Sequence, residues 1–371
     1  MKTNPLSFTK AMVFIACLSS MMVFACSVKT TPSTPTTPQN PPTIVTVAGR
    51  GDNGSLLLKS DGTLFATGTR QSGNLFLNTN KISNYTFILI ASGIKALAAD
   101  SSFYILKNDD TLWVEDSEQS DGLFFIASNV IAFEPSYSTL LFIDTNHTLW
   151  GYGNNGNGQL GQDPAHSYYS TPVMIANNVI SCATGDDHSL YITSDGNVWA
   201  SGDNSDGQLG TNKSSLPQTS SFIKVAENGA AVYTTHNNSF LLKKDGSLYA
   251  TGENYLGSLG IGSEDPVDQW SFVTNGVVMV ASGVYHTLIL LSNGTLLGVG
   301  YNYDGELGVF SPLSTNKPMV VFSNVLFVAT GYYHTLILDT SKNLWVSGFN
   351  DYGQLGTGDK NTRSNFVKIN P

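Results

Sequence analysis

Charge is scarce in this 371-residue chain. Only 12% of its residues are Asp, Glu, Lys or Arg, about half of the ~25% usual in globular proteins. Arginine is the rarest of them, with Arg50, Arg70 and Arg363 the only copies. Lys and Arg total 18 against 28 acids, for a net charge of −10. DNA affinity rests largely on cationic contacts to phosphate, so nucleic acid is excluded as a partner. Cysteine is as scarce as arginine, with three copies. Cys17 and Cys26 stand in an N-terminal apolar segment, which leaves Cys182 alone in the body and rules out an internal disulfide scaffold. Cys182, in an apolar stretch before Ala183, reads as a small buried hydrophobe. After residue 45 no stretch combines helical periodicity with caps and adequate length, so almost no helix is expected. No phosphate loop, dinucleotide fingerprint, HExxH or GxSxG is present.

What the chain has instead is repetition. NVWASGDNSDGQLG, Asn197 to Gly210, returns as SLYATGENYLGSLG from Ser247, TLLGVGYNYDGELG from Thr295 and NLWVSGFNDYGQLG from Asn343. A weaker copy, TLWGYGNNGNGQLG, starts at Thr148. Upstream of each clear copy lies a second signature, as in ISCATGDDHSLYITSDG, Ile180 to Gly196. The position after the turn is Leu64, Leu112, Leu149, Val198, Leu248, Leu296 and Leu344, so the units number seven. A period near ~50 residues marks units that cannot bury an apolar face alone. Short apolar stretches such as Val278–Ala281, Thr287–Leu291, Leu296–Val299 and Met319–Phe322 are bounded by turn residues and read as strands. Asp195-Gly196, Asp245-Gly246, Asp61-Gly62 and Asn293-Gly294 are hairpin turns. The fold expected is all-β: a seven-bladed β-propeller. Its C-terminal strand, Phe366–Ile369, is expected to pair with the first blade at Ile44–Ala48 and so close the ring, covering an open edge.

Residues 1–25 read as a signal peptide of the lipoprotein type. Lys2 and Lys10 precede the apolar run Ala11–Ala25, which is too short for an ordinary membrane span. Val23-Phe24-Ala25-Cys26 resembles the bacterial lipobox, making Cys26 the expected lipidation site and membrane attachment. Residues 26–43 form a Pro/Thr/Ser linker, and 44–371 the propeller.

His188, His286 and His334 share one repeat position. Equivalent residues of neighbouring blades lie too far apart for one ion with ~2.1 Å bonds, so they are expected to bond within their own blades, near a turn. Leu209, Leu259, Leu307 and Leu355, each bracketed by glycines, are expected to be buried plugs between blades. His147, His166 and His236 fall in unrelated contexts, and Asp186-Asp187 reads as a solvated turn. No catalytic, cofactor-binding or metal-ligating constellation is expected. Tyr152, Tyr255, Tyr301, Tyr303, Phe349 and Tyr352 occupy variable places of the G-x-N-x-x-G loops, where aromatics suit partner contacts. Trp270, beside the acidic Glu264, Asp265 and Asp268, joins that set.

The combined pattern G-x-x-H-[ST]-L, D-G-x-[LV]-W and G-x-N-x-x-G-Q-L-G, carried by Gly185–Leu190, Asp195–Trp199 and Gly202–Gly210, resembles the repeat of the regulator of chromosome condensation family. That resemblance covers residues 44–371 and implies a seven-bladed propeller. The founding eukaryotic member is a nuclear exchange factor for a small GTPase that works on chromatin and uses a wedge-like insertion. Inter-unit loops here are near-constant in length, without such a hairpin. Together with the leader and the poverty in arginine, this leads to the expectation of a bacterial exported member. It would be a monomeric, non-enzymatic interaction module, secreted or displayed on the cell envelope for an unidentified protein partner. Two alternatives are guanine-nucleotide exchange on a host small GTPase and a surface glycan-binding or hydrolytic protein. Fold alone does not choose among them.

Overall fold

The computed structural model describes residues 41–51, 53–69, 84–115 and 122–371. The signal peptide, Cys26 and most of the expected linker therefore lie outside the described residues. Within them, seven four-stranded antiparallel sheets follow one another along the chain. Each is a meander in chain order. Blade 1 comprises Ile44–Arg50, Gly54–Lys59, Leu64–Gly68 and Asn84–Ala91, and blade 7 comprises Val325–Thr330, His334–Asp339, Leu344–Gly348 and Arg363–Ile369. One cavity of about 80 Å³ is lined by residues at the first strands of all seven blades, among them Ala48, Ala99, Ser136, Thr184, Thr234, Ser282 and Val328. The first strands thus surround a common axis.

Burial falls from the axis outward, and the sequence shows why. The second strand of blade 6, His286–Leu291, is an unbroken apolar run apart from its first two residues, with five of its six residues buried. The outer strand Gln218–Ala226 mixes polar with apolar residues, and none of its nine is fully buried. The sequence-predicted strands of blade 6 are observed at Val277–Ser282, His286–Leu291 and Leu296–Tyr301. The outer strand begins earlier than its apolar part indicates, at Ser314. Its polar half still pairs with the third strand, past an irregularity between Gly298 and Gly300.

The expected closure by strand exchange is not what the structure has. Arg363–Ile369 pairs with the third strand of its own blade, Leu344 opposite Ile369 and Val346 opposite Val367. Blade 1 already owns an outer strand, Asn84–Ala91. The physical reason is the phase of the repeat. Each outer strand follows the G-x-N loop of its own unit, so seven units consume every strand and leave none to donate. Among the described residues no sheet is closed or shared between blades.

Blade 7 instead meets blade 1 through the contacts used at other junctions. His334 Nε2 lies 2.8 Å from Ser55 Oγ, Thr67 Oγ1 donates to the Gly353 carbonyl at 2.9 Å, and Gly358 N–H donates to the Tyr85 carbonyl at 2.6 Å. A Cβ on Gly356 would fall 2.7 Å from the Phe87 ring of blade 1, as one on Gly308 would fall 2.0 Å from Phe366 of blade 7. The last glycine of the G-x-x-G loop is required because the next blade's outer-strand side chain lies flat against it.

Candidate functional site

The repeat's own chemistry builds the junctions. His188, His286 and His334 are fully buried. Their Nε2 atoms reach across to the following blade: His188 to Ser239 Oγ at 2.8 Å, His286 to Thr335 Oγ1 at 3.3 Å, and His334 to Ser55 Oγ. These bonds cross the junction and do not stay within the blade, as the sequence had led us to expect. Ser239 gives its own proton to the Gln208 carbonyl at 2.7 Å and Thr335 to the Glu306 carbonyl at 2.6 Å. The Ser239 and Thr335 hydroxyls can therefore only accept from histidine, and His188 and His286 donate through Nε2. Burial pushes the His188 pKa down to about 4 and those of His286 and His334 to about 3, so all three are neutral at pH 7. The glycine three residues before each histidine is a seat for the ring: a Cβ on Gly185, Gly283 or Gly331 would meet the imidazole Cε1 at 2.1–2.3 Å.

Leu209, Leu259, Leu307 and Leu355 are fully buried. What holds them there is a residue sequence reasoning passed over, the asparagine of G-x-N. Asn204, Asn254, Asn302 and Asn350 accept through Oδ1 from the N–H of the plug leucine at 2.9–3.1 Å. Their Nδ2 atoms donate to carbonyls further along the loop. The signal was the invariance of this asparagine among the chain's own copies. Trp270 belongs with the plugs. Its ring lies on Gly210 of blade 4 and packs against the core there, so it is no free anchor.

The remaining aromatics divide into two groups. Tyr152 stands apart in blade 3, 6.3 Å from Tyr168. The others converge on blades 5 to 7, joined by Tyr285 and Tyr333, which the sequence had not singled out. Tyr255 lies 4.6 Å from Tyr285, Tyr285 6.4 Å from Tyr301, and Tyr301 4.9 Å from Tyr303 and 6.3 Å from Tyr333. Phe349 and Tyr352 continue the run, 6.0 Å apart. Tyr255 is 50% exposed and Tyr303 56%. Tyr255, Tyr285, Tyr301, Tyr333, Phe349 and Tyr352 line a groove of about 330 Å³ with Asp304.

Tyr285 and Tyr333 lie between the first and second strands of their blades, and those turns also surround the mouth of the axial cavity. There His236 Nδ1 lies 2.7 Å from Asp186 Oδ2, while Asp100 accepts from the Tyr332 hydroxyl at 2.9 Å and from Tyr137 N–H at 2.7 Å. Burial raises the Asp100 pKa against those hydrogen bonds. Burial alone would lower that of His236, but the bond and charge of Asp186 hold it above its ordinary value. Neither residue stood out in the sequence, because only the ring brings five turns together. His236 Nε2 has no hydrogen-bond partner among the described residues, so no hydroxyl is set against it as a nucleophile. Among the described residues no group of three or more His, Cys, Asp or Glu is placed to hold a metal ion.

Comparison with known proteins places this geometry. The Regulator of chromosome condensation (RCC1) repeat matches residues 146–192, 179–208, 245–290, 277–306 and 325–354. No curated protein matches the chain by sequence. Among solved structures, Prp20p of Saccharomyces cerevisiae, described with its binding properties to Gsp1p and histones, aligns with TM-score 0.65 at 19% identity over 78% of this chain and 80% of its own. Human WBSCR16 aligns with TM-score 0.58 at 19% identity, covering 90% of this chain and 83% of its own. Yeast RCC1 (Prp20), solved with Kap60 bound to it, gives 0.59 at 19% identity over 88% and 75%.

These relatives overturn one group of expectations. They are yeast and human propellers, not bacterial exported proteins, and the partners named for the yeast protein are Gsp1p, histones and Kap60. The readings of a bacterial lipoprotein, of membrane attachment through Cys26, of secretion or envelope display, and of a wholly unidentified partner are withdrawn. The lipoprotein and membrane readings rested on the leader, outside the described residues; the exported reading drew also on the near-constant loops and the poverty in arginine. The expectation that the chain is not an enzyme agrees with relatives described by what they bind. The chain is thus similar to regulator of chromosome condensation propellers in its repeats and in its fold.

Proposed function

We propose that this chain is a non-catalytic docking propeller that engages a small GTPase and promotes release of its guanine nucleotide. The observation that carries the reading is the run of aromatic side chains over blades 5 to 7, presented beside the axial mouth. Aromatic anchors concentrated in one patch are the usual energetic centre of a protein interface. Similarity of fold to Prp20p, described as binding Gsp1p, supports the choice of partner class. The rigidity of the ring supports the mode of action. An exchange factor must bind the nucleotide-free partner more tightly than the loaded one, and the acceleration available is bounded by that difference. A ~1,000-fold faster release needs ~4 kcal/mol, which a face held by buried interblade hydrogen bonds can direct at the partner without yielding itself.

The test is release of a fluorescent guanine nucleotide from loaded Gsp1p, with and without the full chain. Catalytic amounts should accelerate release, and Tyr285→Ala with Tyr301→Ala should reduce the acceleration about tenfold or more, as hot-spot truncations do. Unchanged release at a stoichiometric excess of the ring would remove the proposal.

A further inference from the structure

The tyrosine groove has a feature that a generic apolar patch lacks. Asp304 is one of its walls, and the repeat shows how that carboxylate came to stand alone. Its counterpart in blade 4, Asp206, accepts through Oδ2 from Asn237 Nδ2 of the next blade at 2.9 Å. In blade 7 the place of Asn237 is taken by Tyr333. The amide donor has been exchanged for an aromatic ring, and no hydrogen bond to the Asp304 carboxylate is formed among the described residues. Its surroundings do not neutralise it either: the groove contains no Lys or Arg, and desolvation together with Asp351 raises its pKa.

A half-buried carboxylate among electron-rich ring faces calls for a cation that can do two things at once. It must lie flat on aromatic rings, and it must donate hydrogen bonds to a carboxylate. Guanidinium does both: it stacks, it is weakly hydrated, and its planar fork matches a carboxylate. An ammonium is a compact, strongly hydrated point charge, and a trimethylammonium has no proton to give Asp304. We infer that the groove of Tyr255, Tyr285, Tyr301 and Tyr333 with Asp304 is a docking site for an arginine side chain of a partner polypeptide. The inference deepens the docking-face reading, but it concerns one pocket and has its own readout.

The experiment is titration of the full chain, with ring-labelled tyrosine, by L-arginine amide, followed by nuclear magnetic resonance. Millimolar binding should shift the Tyr285, Tyr301 and Tyr333 ring signals and leave Tyr152 in place. L-citrulline amide, which has the same shape without the charge, should bind at least about tenfold more weakly, the worth of one charge-assisted hydrogen-bonded pair. Asp304→Asn, whose side chain is not part of the core, should weaken arginine amide by a similar factor while leaving the unliganded spectrum folded. Equal binding of citrulline amide, tighter binding of trimethyl-lysine amide, or no shift at 50-fold the expected millimolar range would each overturn the assignment. Loss of nucleotide release with arginine capture intact would remove the GTPase reading alone.

Discussion

Glu306 stands where three other blades carry Gln159, Gln208 and Gln354, and the substitution leaves an acid in a place built for an amide. It is fully buried. One carboxylate oxygen accepts from Asp304 N–H at 3.1 Å, as the glutamine oxygens accept in the other loops. The other oxygen, Oε1, has no partner. Burial pushes its pKa from an ordinary 4.5 up to about 8, which corresponds to ~5 kcal/mol of preference for the protonated form. The sign follows from proton counting. Between pH 4.5 and about 8 the folded chain keeps a proton that the unfolded chain has released, so stability falls as pH rises across that window and levels off above it. The penalty is ~1 kcal/mol at pH 5, ~3 kcal/mol at pH 7 and ~5 kcal/mol at pH 9.

Glu306→Gln removes the titration and keeps the acceptor. Its new Nε2 would be as poorly served as that of Gln159, which has no partner, at a cost of ~1 kcal/mol. The variant should therefore match the parent near pH 5 and exceed it by ~2 kcal/mol at pH 7 and ~4 kcal/mol at pH 9. Urea denaturation at the three pH values, with unchanged slope, reads this as a midpoint shift that grows with pH. The reverse change, Gln208→Glu, should create the same pH dependence in blade 4, and more strongly. Gln208 Nε2 donates to Asp203 there at 2.8 Å, and a carboxylate would repel it. A gain independent of pH, or a loss at pH 9, would refute the account.

Two stability predictions stand beside the exchange and arginine experiments. Leu209→Ala removes a fully buried plug and should cost ~2–5 kcal/mol by urea denaturation. The three junction histidines, held at about 3 to 4 by burial, give stability that is complete above their ordinary 6.5 and is lost as pH falls below it. His188→Asn should flatten that acid limb by one proton, ~1.4 kcal/mol per pH unit, and an unchanged slope between pH 6 and 4 would contradict it.

Much of the ring was legible because it is local. Hairpin pairs such as Asp195-Gly196 and apolar runs such as Thr287–Leu291 announce themselves within ten residues, and seven copies average out the decay of any one. The errors lie where residues far apart in the chain meet. The histidine bonds were misdirected because the partner stands about fifty residues on, yet its signal was in the pattern: the [ST] following each histidine position is the acceptor for the previous blade, as with Ser239, Thr335 and Ser55. The last strand looks spare in the sequence because an outer strand lies some fifteen residues beyond the third strand it pairs with, and only the ladder of blade 7 assigns it to its own unit. The axial pair His236–Asp186 was invisible for a different reason. Both stand at one variable position of the repeat, two residues before the histidine position, and only the ring carries their two turns to one axis.

That contrast separates architecture from function in this molecule. Positions that repeat are committed to junctions, and where one changes its partner changes with it. In blade 5 Asn238 replaces histidine and Ser258 replaces glutamine, and the two bond each other within that blade at 3.1 Å, so the altered polar pair is satisfied by a bond that no longer crosses to the next blade. Other departures have no such compensation. Tyr301 takes the place held by Asp203, Tyr333 that held by Asn237, Glu306 that of a glutamine, and Asp304 loses the donor that Asp206 retains. Tyr301, Tyr333 and Asp304 line one groove on blades 6 and 7, and Glu306, buried, lies close enough to Tyr301 to raise its pKa. A drifting repeat would scatter uncompensated changes over seven blades. Their concentration beside the aromatic run, at a cost in stability that Glu306 makes measurable, is the pattern that the proposed docking site requires.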